Sequence, residues 1–173
     1  LSELRSRRIF VDCLRGLSYM HDCGYAHLDI SMENIMIRGT DAVIIDFGMT
    51  QRIRTPDINR GCFGKRLYMH PTMFKHMAEF KNHRAMTGTW SAVECDLWSL
   101  SVVLFVCVVG GPPWEWPSAQ RDARFRMIAV SGKLRSLLER WQVRHLSPEC
   151  VHFLEQLDQS RLLGPNYPLG TSS

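Results

Sequence analysis

Residues 27–48 decide the fold of this chain and read His-Leu-Asp-Ile-Ser-Met-Glu-Asn-Ile-Met-Ile-Arg-Gly-Thr-Asp-Ala-Val-Ile-Ile-Asp-Phe-Gly. Two short apolar runs lie within this stretch, at residues 35–37 and 43–45. An Arg-Gly-Thr-Asp segment separates them, and two β-like runs joined by such a segment are typical of a hairpin. The stretch therefore predicts a small β-hairpin with polar residues on either side of it.

Three of these polar residues are Asp29 and Asn34, before the hairpin, and Asp46, directly after its second run. Carboxylates at the edges of buried strands are costly unless they are paired or bound to a cation. Oxygen ligands of this kind suit Mg²⁺, which also takes phosphate oxygens as partners. Taken singly, Asp29 could be a turn residue and Asn34 a buried amide. Taken together, the three side chains predict a site for a hard cation.

Helical periodicity dominates the rest of the chain. Residues 4–21 carry apolar side chains at helical spacing from Ile9 to Met20, which predicts an amphipathic helix. Residues 95–109 are nearly all apolar and too many for a typical strand, so they predict a buried helix that ends at the Gly-Gly-Pro-Pro cluster of residues 110–113. Shorter helices are predicted over residues 72–80, 122–130, 134–141 and 148–157.

Length and composition favour one folded domain. The 173 residues are 45% hydrophobic and 22% charged, which is ordinary for a globular chain. The longest apolar run, residues 102–109, is far shorter than the about 20 residues of a membrane span, so no membrane association is predicted.

The net charge is +4, and residues 51–84 alone carry +6 from eight basic and two acidic side chains. This segment is either a solvated loop or a contact for an acidic partner. It lacks the interleaved aromatic residues of single-strand binders, so no nucleic acid partner is predicted.

The six cysteines form no Cys-x-x-Cys pair and have no histidine at zinc-like spacing. Cys13 and Cys107 fall on predicted apolar faces and are interpreted as core residues. We therefore expect reduced thiols and an intracellular, cytoplasmic protein. The chain starts without methionine or an apolar targeting stretch, which we interpret as a sign that residues are missing upstream.

The pattern His27-x-Asp29-x-x-x-x-Asn34 followed by Asp46-Phe47-Gly48 resembles the catalytic loop and the metal-binding loop of eukaryotic protein kinases. Later segments agree with this resemblance in order and cover nearly the whole chain. The end of the activation segment is resembled by Tyr68-Met69-His70-Pro71-Thr72, and the start of the central buried helix by Asp96-Leu97-Trp98-Ser99-Leu100. The turn after that helix is resembled by Gly111-Pro112-Pro113-Trp114, and the late helices by Ser147-Pro148-Glu149 with Arg161.

The resemblance implies a protein kinase-like fold of which only the large C-terminal lobe is present, mainly α-helical with a small β-hairpin at the catalytic and metal-binding loops. Residues 1–163 would form this partial kinase domain, and residues 164–173 a flexible tail. The implied activity is transfer of the γ-phosphoryl group of ATP to a hydroxyl of a protein substrate, with ATP and Mg²⁺ as cofactors. The Ser/Thr class is favoured over the Tyr class because the Gly-x-x-Pro-Trp turn and the Ser-Pro-Glu helix start resemble it.

The resemblance also implies roles for individual residues. Asp29 would accept the proton of the substrate hydroxyl, and Asn34 and Asp46 would hold Mg²⁺ on the ATP phosphates. The other expected site residues are Ser31, Phe47 and Gly48 beside the cofactor, with His27, Asp96 and Arg161 as structural supports, Asp96 lying under the backbone of the catalytic loop.

Two departures from the family's pattern lie in the catalytic loop itself. Ser31 stands where Ser/Thr kinases usually have a lysine that contacts the transferring phosphoryl group, and loss of one such donor typically costs roughly 10²–10³ in rate. Leu28 stands where an arginine normally pairs with a phosphate of the activation loop. We therefore expect that phosphorylation of Thr50 or Thr55 is not the main switch.

Two further departures lie outside that loop. Thr72 replaces the glutamate that pairs with a buried arginine, the position matched to Arg161, and residues 75–90 are interpreted as a surface insertion. The sequence contains no Gly-x-Gly-x-x-Gly and no Val-Ala-x-Lys strand of the small lobe, so we expect the small lobe to be encoded upstream.

Two alternatives to a protein kinase stay open. Ser31 and Thr72, with the missing small-lobe motifs, would also suit a pseudokinase or scaffold, although a scaffold does not require the three intact polar residues of the predicted cation site. A small-molecule phosphotransferase of kinase-like fold would share the His-x-Asp motif but usually lacks the Asp-x-Trp-Ser and Gly-x-x-Pro-Trp segments. Because ATP normally lies between two lobes, we expect the isolated chain to be weakly active or inactive.

Overall fold

The computed structural model describes residues 1–53, 63–81 and 90–158, and for residues 78–81 and 157–158 only the backbone. In chain order the elements of this part are α1 Glu3–Asp22, β1 Tyr25–Ala26, β2 Ile35–Arg38, β3 Asp41–Ile44, β4 Gln51–Arg52, α2 Pro71–Lys81, α3 Ala92–Val109, α4 Ala123–Phe125, α5 Leu134–Arg140 and α6 Pro148–Asp158. Single 3₁₀ turns at Met32–Asn34 and Phe47–Met49 and a π turn at Arg126–Val130 complete it. The predicted, mainly helical architecture is confirmed for these residues.

Helix α1 forms where the apolar spacing predicts it and extends one residue further at each end. The Ser2 hydroxyl accepts a hydrogen bond from the Arg5 N–H at 3.3 Å and so caps the first turn. Ile9, Cys13 and Leu17 are buried along one face. This face packs against the central helix α3.

Helix α3 is the centre of the core. It begins three residues before the predicted start, because Ser91 caps it by accepting the Glu94 N–H at 3.3 Å. It ends at Gly110, whose φ of 88° is a left-handed conformation that glycine adopts without steric cost. By length and a mean hydropathy of 2.0 this helix could cross a membrane, but 72% of it is buried inside the protein. Such burial is usual for the core helix of a globular domain.

The predicted hairpin is present as the antiparallel pair β2–β3, with Ile35 opposite Ile44 and Arg38 opposite Asp41. A second antiparallel pair, β1–β4, joins Tyr25 to Arg52 and Ala26 to Gln51. The sequence did not predict this pair, because strands of two residues are too short to show a periodic pattern.

Apolar side chains form two clusters. The larger cluster surrounds α3 and includes Leu17, Trp98, Trp114, Phe125 and Leu154. The smaller cluster combines Leu28 with side chains of α2, and we call it the lower cluster. Its buried members are Ala26, Leu28, Met69, Met73, Phe74, Trp90, Ala92 and Cys95.

Two expectations about the helices need correction. The segment predicted as one helix over residues 122–130 is a single α turn followed by a π turn, in which the Ser131 N–H donates to Arg126 O at 3.0 Å. The surface insertion predicted from residue 75 does not start there, because α2 continues to Lys81 and His76 is only 2% exposed. The remaining part of that expectation, residues 82–89, lies outside the described residues, as does the predicted tail.

Candidate active site

The catalytic-loop segment, residues 27–34, is held from below by Asp96. This side chain is fully buried near the start of α3. Its Oδ2 accepts the backbone N–H of His27 at 2.8 Å, and its Oδ1 accepts that of Leu28 at 2.7 Å. The His21 Nε2 lies 2.8 Å from Oδ2 and adds a contact from the end of α1. Charge-assisted hydrogen bonds of this kind fix a loop more firmly than neutral ones.

Leu28 has a φ of 64°, which is unusual for a residue with a side chain. Such a conformation costs of order 1–3 kcal/mol and persists where the surroundings enforce it. Here the enforcement comes from the hydrogen bond to Asp96 and from burial of the Leu28 side chain, 4% exposed, in the lower cluster. An apolar side chain therefore occupies the place where the family usually has its phosphate-binding arginine.

Asp29 and Asn34 meet above this support. The Asn34 amide donates to both Asp29 O and Asp29 Oδ2, each at 2.8 Å. The other carboxylate oxygen, Asp29 Oδ1, is buried and accepts no hydrogen bond from the described residues. A buried carboxylate oxygen that lacks a donor is costly, so Asp29 Oδ1 has unused capacity to accept a hydrogen bond.

The end of the hairpin brings Asp46 next to Asn34. The Ile45 N–H donates to Asn34 O at 2.9 Å, one register step beyond the Ile35–Ile44 pair. Asp46 has a left-handed φ of 63°, and its Oδ1 accepts the Gly48 N–H at 3.2 Å. The side chain of Asp46 is exposed, so its carboxylate is open to a ligand.

His27 connects the two loops. Its Nε2 lies 3.2 Å from Ile45 O, and its ring packs edge to face with Phe47 at 5.4 Å between ring centroids. Phe47 remains 55% exposed, and Gly48 lies beside it in the same 3₁₀ turn. The predicted catalytic and metal-binding loops are therefore adjacent in the structure.

The donor set at this place suits Mg²⁺ when phosphate is present. In the described part of the chain, no group of three or more His, Cys, Asp and Glu side chains could hold a metal ion alone. Asn34 and Asp46 supply an amide and a carboxylate. Mg²⁺ is usually bound by one or two carboxylates together with water and substrate phosphates, so these two residues could hold it on a nucleotide.

Ser31 is fully buried, and its hydroxyl accepts a hydrogen bond from the Lys65 ammonium group at 2.8 Å. Lys65 Nζ also lies 3.3 Å from Glu33 Oε2. The pKa of Glu33 is lowered by a hydrogen bond from its own backbone N–H and further by the Ser31 hydroxyl and the Lys65 ammonium. Sequence reasoning missed Lys65, because the contact spans 34 residues and no motif connects the two positions.

The segment that carries Lys65 is fastened to the core. The Ser99 hydroxyl donates to Tyr68 O at 2.8 Å, and the Trp114 indole N–H donates to Leu67 O at 3.2 Å. Thr72 is the second residue of helix α2, and its N–H donates to His70 Nδ1 at 3.2 Å. Arg161, the residue matched to the partner of position 72, lies outside the described residues.

Comparison with known proteins agrees with this geometry. The family model of the protein kinase domain matches residues 1–161. The chain is 28% identical over 162 residues to the serine/threonine-protein kinase SRK2H of Arabidopsis thaliana, covering 90% of this chain and 40% of that protein. It is 29% identical over 187 residues to the probable serine/threonine-protein kinase fhkA of Dictyostelium discoideum, covering 94% of this chain and 31% of that protein. The chain thus spans less than half the length of these curated relatives, and within that span it belongs to the protein kinase domain family.

Proposed function

We propose that this chain is the large C-terminal lobe of a serine/threonine protein kinase and that the whole protein transfers the γ-phosphoryl group of ATP to a hydroxyl of a protein substrate. The observation that carries the proposal is Asp29, because its buried Oδ1 lacks a hydrogen-bond donor from the described residues while Asn34 holds its Oδ2. A buried carboxylate oriented in this way suits a general base. The Ser/Thr kinases among the similar proteins support the substrate class.

In this proposal the chain's own residues position a proton acceptor. Asp96 fixes the backbone on the N-terminal side of Asp29, and Asn34 orients its carboxylate. Asp29 Oδ1 accepts the proton of the substrate hydroxyl as that oxygen bonds to phosphorus. Asn34 and Asp46 would hold Mg²⁺, with Phe47 and Gly48 shaping the metal-binding loop. When bound, Mg²⁺-ATP would supply the phosphoryl group, with ADP as the leaving group that takes the electron pair of the broken phosphorus–oxygen bond.

We also propose that the protein is intracellular and that it has a small lobe outside these residues. The five cysteines within the described residues are free thiols, which supports an intracellular protein. The small-lobe motifs absent from these 173 residues would be supplied by another part of the protein. The basic charge of residues 51–84 would suit contact with an acidic protein substrate.

The test is phosphoryl transfer by the full-length protein with Mg²⁺-ATP and a library of Ser, Thr and Tyr peptides. Replacing Asp29 by Asn is expected to lower kcat by roughly 10²–10⁴, the usual contribution of a general base. Asp41→Asn is the matched control, because Asp41 is an exposed carboxylate in the same hairpin, and its partners among the described residues are the exposed Arg8 and Thr40. Mg²⁺-ATP binding without transfer would instead identify a pseudokinase, and equal activity of Asp29→Asn and wild type would contradict the assigned role.

A further inference from the structure

Lys65 brings a positive charge to the catalytic loop at an unusual place. Its Nζ lies 2.8 Å from Ser31 Oγ, and Ser31 is two residues beyond Asp29. In most Ser/Thr kinases the position that corresponds to Ser31 is a lysine, which contacts the transferring phosphoryl group. Here the ammonium group is present at the same loop position, but it comes from a segment 34 residues further along the chain.

The backbone before Lys65 is fixed closely against Asp29. Gly64 has a φ of 82°, and a Cβ atom on it would lie 2.8 Å from Leu28 O and 3.6 Å from Asp29 Oδ1. On the other side, the Tyr68 N–H donates to Lys65 O at 2.9 Å and closes a turn. Lys65 therefore emerges from a clamped segment next to the carboxylate that lacks a donor, and its position does not depend on its side-chain contacts alone.

The Lys65 ammonium group can exchange its present acceptor for a stronger one. Its side chain is 42% exposed, and Glu33, its only carboxylate partner among the described residues, is 63% exposed. An exposed pair of this kind is worth about 0–1 kcal/mol. A phosphoryl group carries more negative charge than one carboxylate and accepts short, strong hydrogen bonds from ammonium groups. When the Lys65 ammonium group exchanges Glu33 for a phosphoryl group, its hydrogen bond to Ser31 Oγ still directs the Lys65 side chain at the catalytic loop.

We propose that Lys65 is the catalytic cation of this site and contacts the transferring phosphoryl group in place of the lysine that is absent at Ser31. The inference rests on the proposed phosphotransfer function. In the step, the substrate oxygen bonds to phosphorus, and the bond from phosphorus to the oxygen of the leaving diphosphate breaks with its electron pair on that oxygen. The hydroxyl proton passes to Asp29. Lys65 keeps its protons and stabilises the charge on the equatorial phosphoryl oxygens.

A binding experiment tests the contact without measuring turnover. The full-length wild-type protein is acetylated with a water-soluble N-hydroxysuccinimide ester, and each lysine is quantified by mass spectrometry. A Mg²⁺ complex of non-hydrolysable ATP is expected to suppress labelling of Lys65, whereas Mg²⁺-ADP, which has no γ-phosphoryl group, is expected to leave it unchanged. The exposed Lys133, at the start of α5, is the internal control and should label equally in all samples.

A kinetic experiment tests the role. Lys65→Ser is expected to lower kcat by roughly 10²–10³ with little change in KM for ATP, as for loss of one transition-state donor. The exchange variant Ser31→Lys/Lys65→Ser returns the lysine to residue 31 and is expected to recover most of that loss. Lys133→Ala is the matched control variant and should keep wild-type activity.

The outcomes separate this inference from the proposed function. Labelling of Lys65 that ignores the ATP analogue, or a Lys65→Ser variant as active as an active wild type, would overturn the role of Lys65 and leave the kinase proposal standing. Absence of any nucleotide-dependent shift in the melting temperature of wild type would overturn both. Selective protection of Lys65, with rescue by the exchange variant, would establish the contact.

Discussion

The Leu28 N–H donates to Asp96 Oδ1 across 2.7 Å, and this bond ties the catalytic loop to the central helix at the residue with a left-handed backbone. Asp96 makes this possible because it is fully buried and its other oxygen is also occupied, by the His27 N–H at 2.8 Å and by His21. One carboxylate thus stabilises a backbone conformation that Leu28 would not adopt freely. The position of Asp29, the next residue, depends on this arrangement.

Asp96→Asn should therefore destabilise the domain and slow the reaction. An amide would place an N–H₂ group against a backbone N–H, and a buried donor left without an acceptor costs about 1–3 kcal/mol, more where a charge is lost. We expect a lower free energy of unfolding in urea and a lower kcat for the full-length protein. Asp41→Asn, which weakens exposed contacts with Arg8 and Thr40, should change both values little. Equal stability of the two variants would show that Asp96 does not hold the loop.

The buried side chain of Leu28 predicts that phosphorylation of the activation loop has little effect on kcat. Because Leu28 is buried in the lower cluster with Met69, Met73 and Phe74, the loop has an apolar anchor at the position where the kinase pattern has an arginine. Phosphomimetic Thr55→Glu, at a residue outside the described part, should change kcat by no more than about fivefold, since a solvated charge contact is worth about 0–1 kcal/mol. Phosphatase treatment of the purified protein should have as little effect. A large activation by Thr55→Glu would contradict the prediction.

Replacing Leu28 by the arginine of the kinase pattern tests whether the site of its side chain is apolar. Leu28→Arg would place an unpaired guanidinium group among apolar side chains, and burial of such a charge is strongly unfavourable. We expect the variant to unfold at a clearly lower urea concentration and to gain no activity from phosphorylation. Leu28→Met, a change that nearly conserves volume, should cost less than about 1.5 kcal/mol.

The sequence was sufficient for the elements whose signal is local. Helix α1 follows from its apolar spacing, α3 from its apolar run and glycine stop, and the β2–β3 hairpin from two strands around a turn. The same stretch brings Asn34 and Asp46 together, because a hairpin places its two ends side by side. Local patterns therefore locate the main elements of the architecture and account for the proximity of the two residues predicted to bind a cation.

Features that depend on distant contacts could not be predicted in this way. The β1–β4 pair joins strands of two residues each, and the contact between Lys65 and Ser31 joins a loop to a turn without any shared periodicity. The left-handed backbone of Leu28 is enforced by Asp96 from a helix 68 residues away and contradicts the ordinary preference of leucine. Tertiary contacts decided these features, and propensity did not.

Gly64 provides a test of the clamp beside Asp29. Its φ of 82° disfavours any side chain, and a Cβ atom would come within 2.8 Å of Leu28 O. Backbone strain in Gly64→Ala should therefore lower the free energy of unfolding by about 1–3 kcal/mol. The variant should also displace the Lys65 segment, so that kcat falls together with stability. Gly39→Ala is the matched control, because Gly39 has a φ of 62° but no atom within 4 Å of the added methyl group. A control variant as inactive as Gly64→Ala would show that close approach at Gly64 is unimportant.

Asp122 determines how part of the stability should depend on pH. Its Oδ1 accepts the N–H groups of Arg124 and Phe125 at 2.8 and 3.0 Å, and its Oδ2 accepts those of Glu115 and Trp116 at 2.7 and 3.1 Å. Burial alone would raise the pKa of Asp122, but these four donors outweigh burial and hold its pKa below the ordinary value of 3.8. A carboxyl group whose pKa is lower in the folded state stabilises the fold above its unfolded pKa, and this contribution is lost as the pH falls through the folded value.

Asp122→Asn should accordingly lower the free energy of unfolding at pH 7 by about 1–3 kcal/mol, because the amide nitrogen cannot accept the bonds that the carboxylate oxygen accepts. The difference from wild type should shrink below pH 4, where protonation removes the same advantage from Asp122 itself. Urea unfolding of the full-length protein between pH 7 and pH 3 measures both effects. The exposed Glu139→Gln serves as the control and should show neither. A difference between Asp122→Asn and wild type that stays constant down to pH 3 would mean that the charge of Asp122 contributes nothing and that only its shape matters.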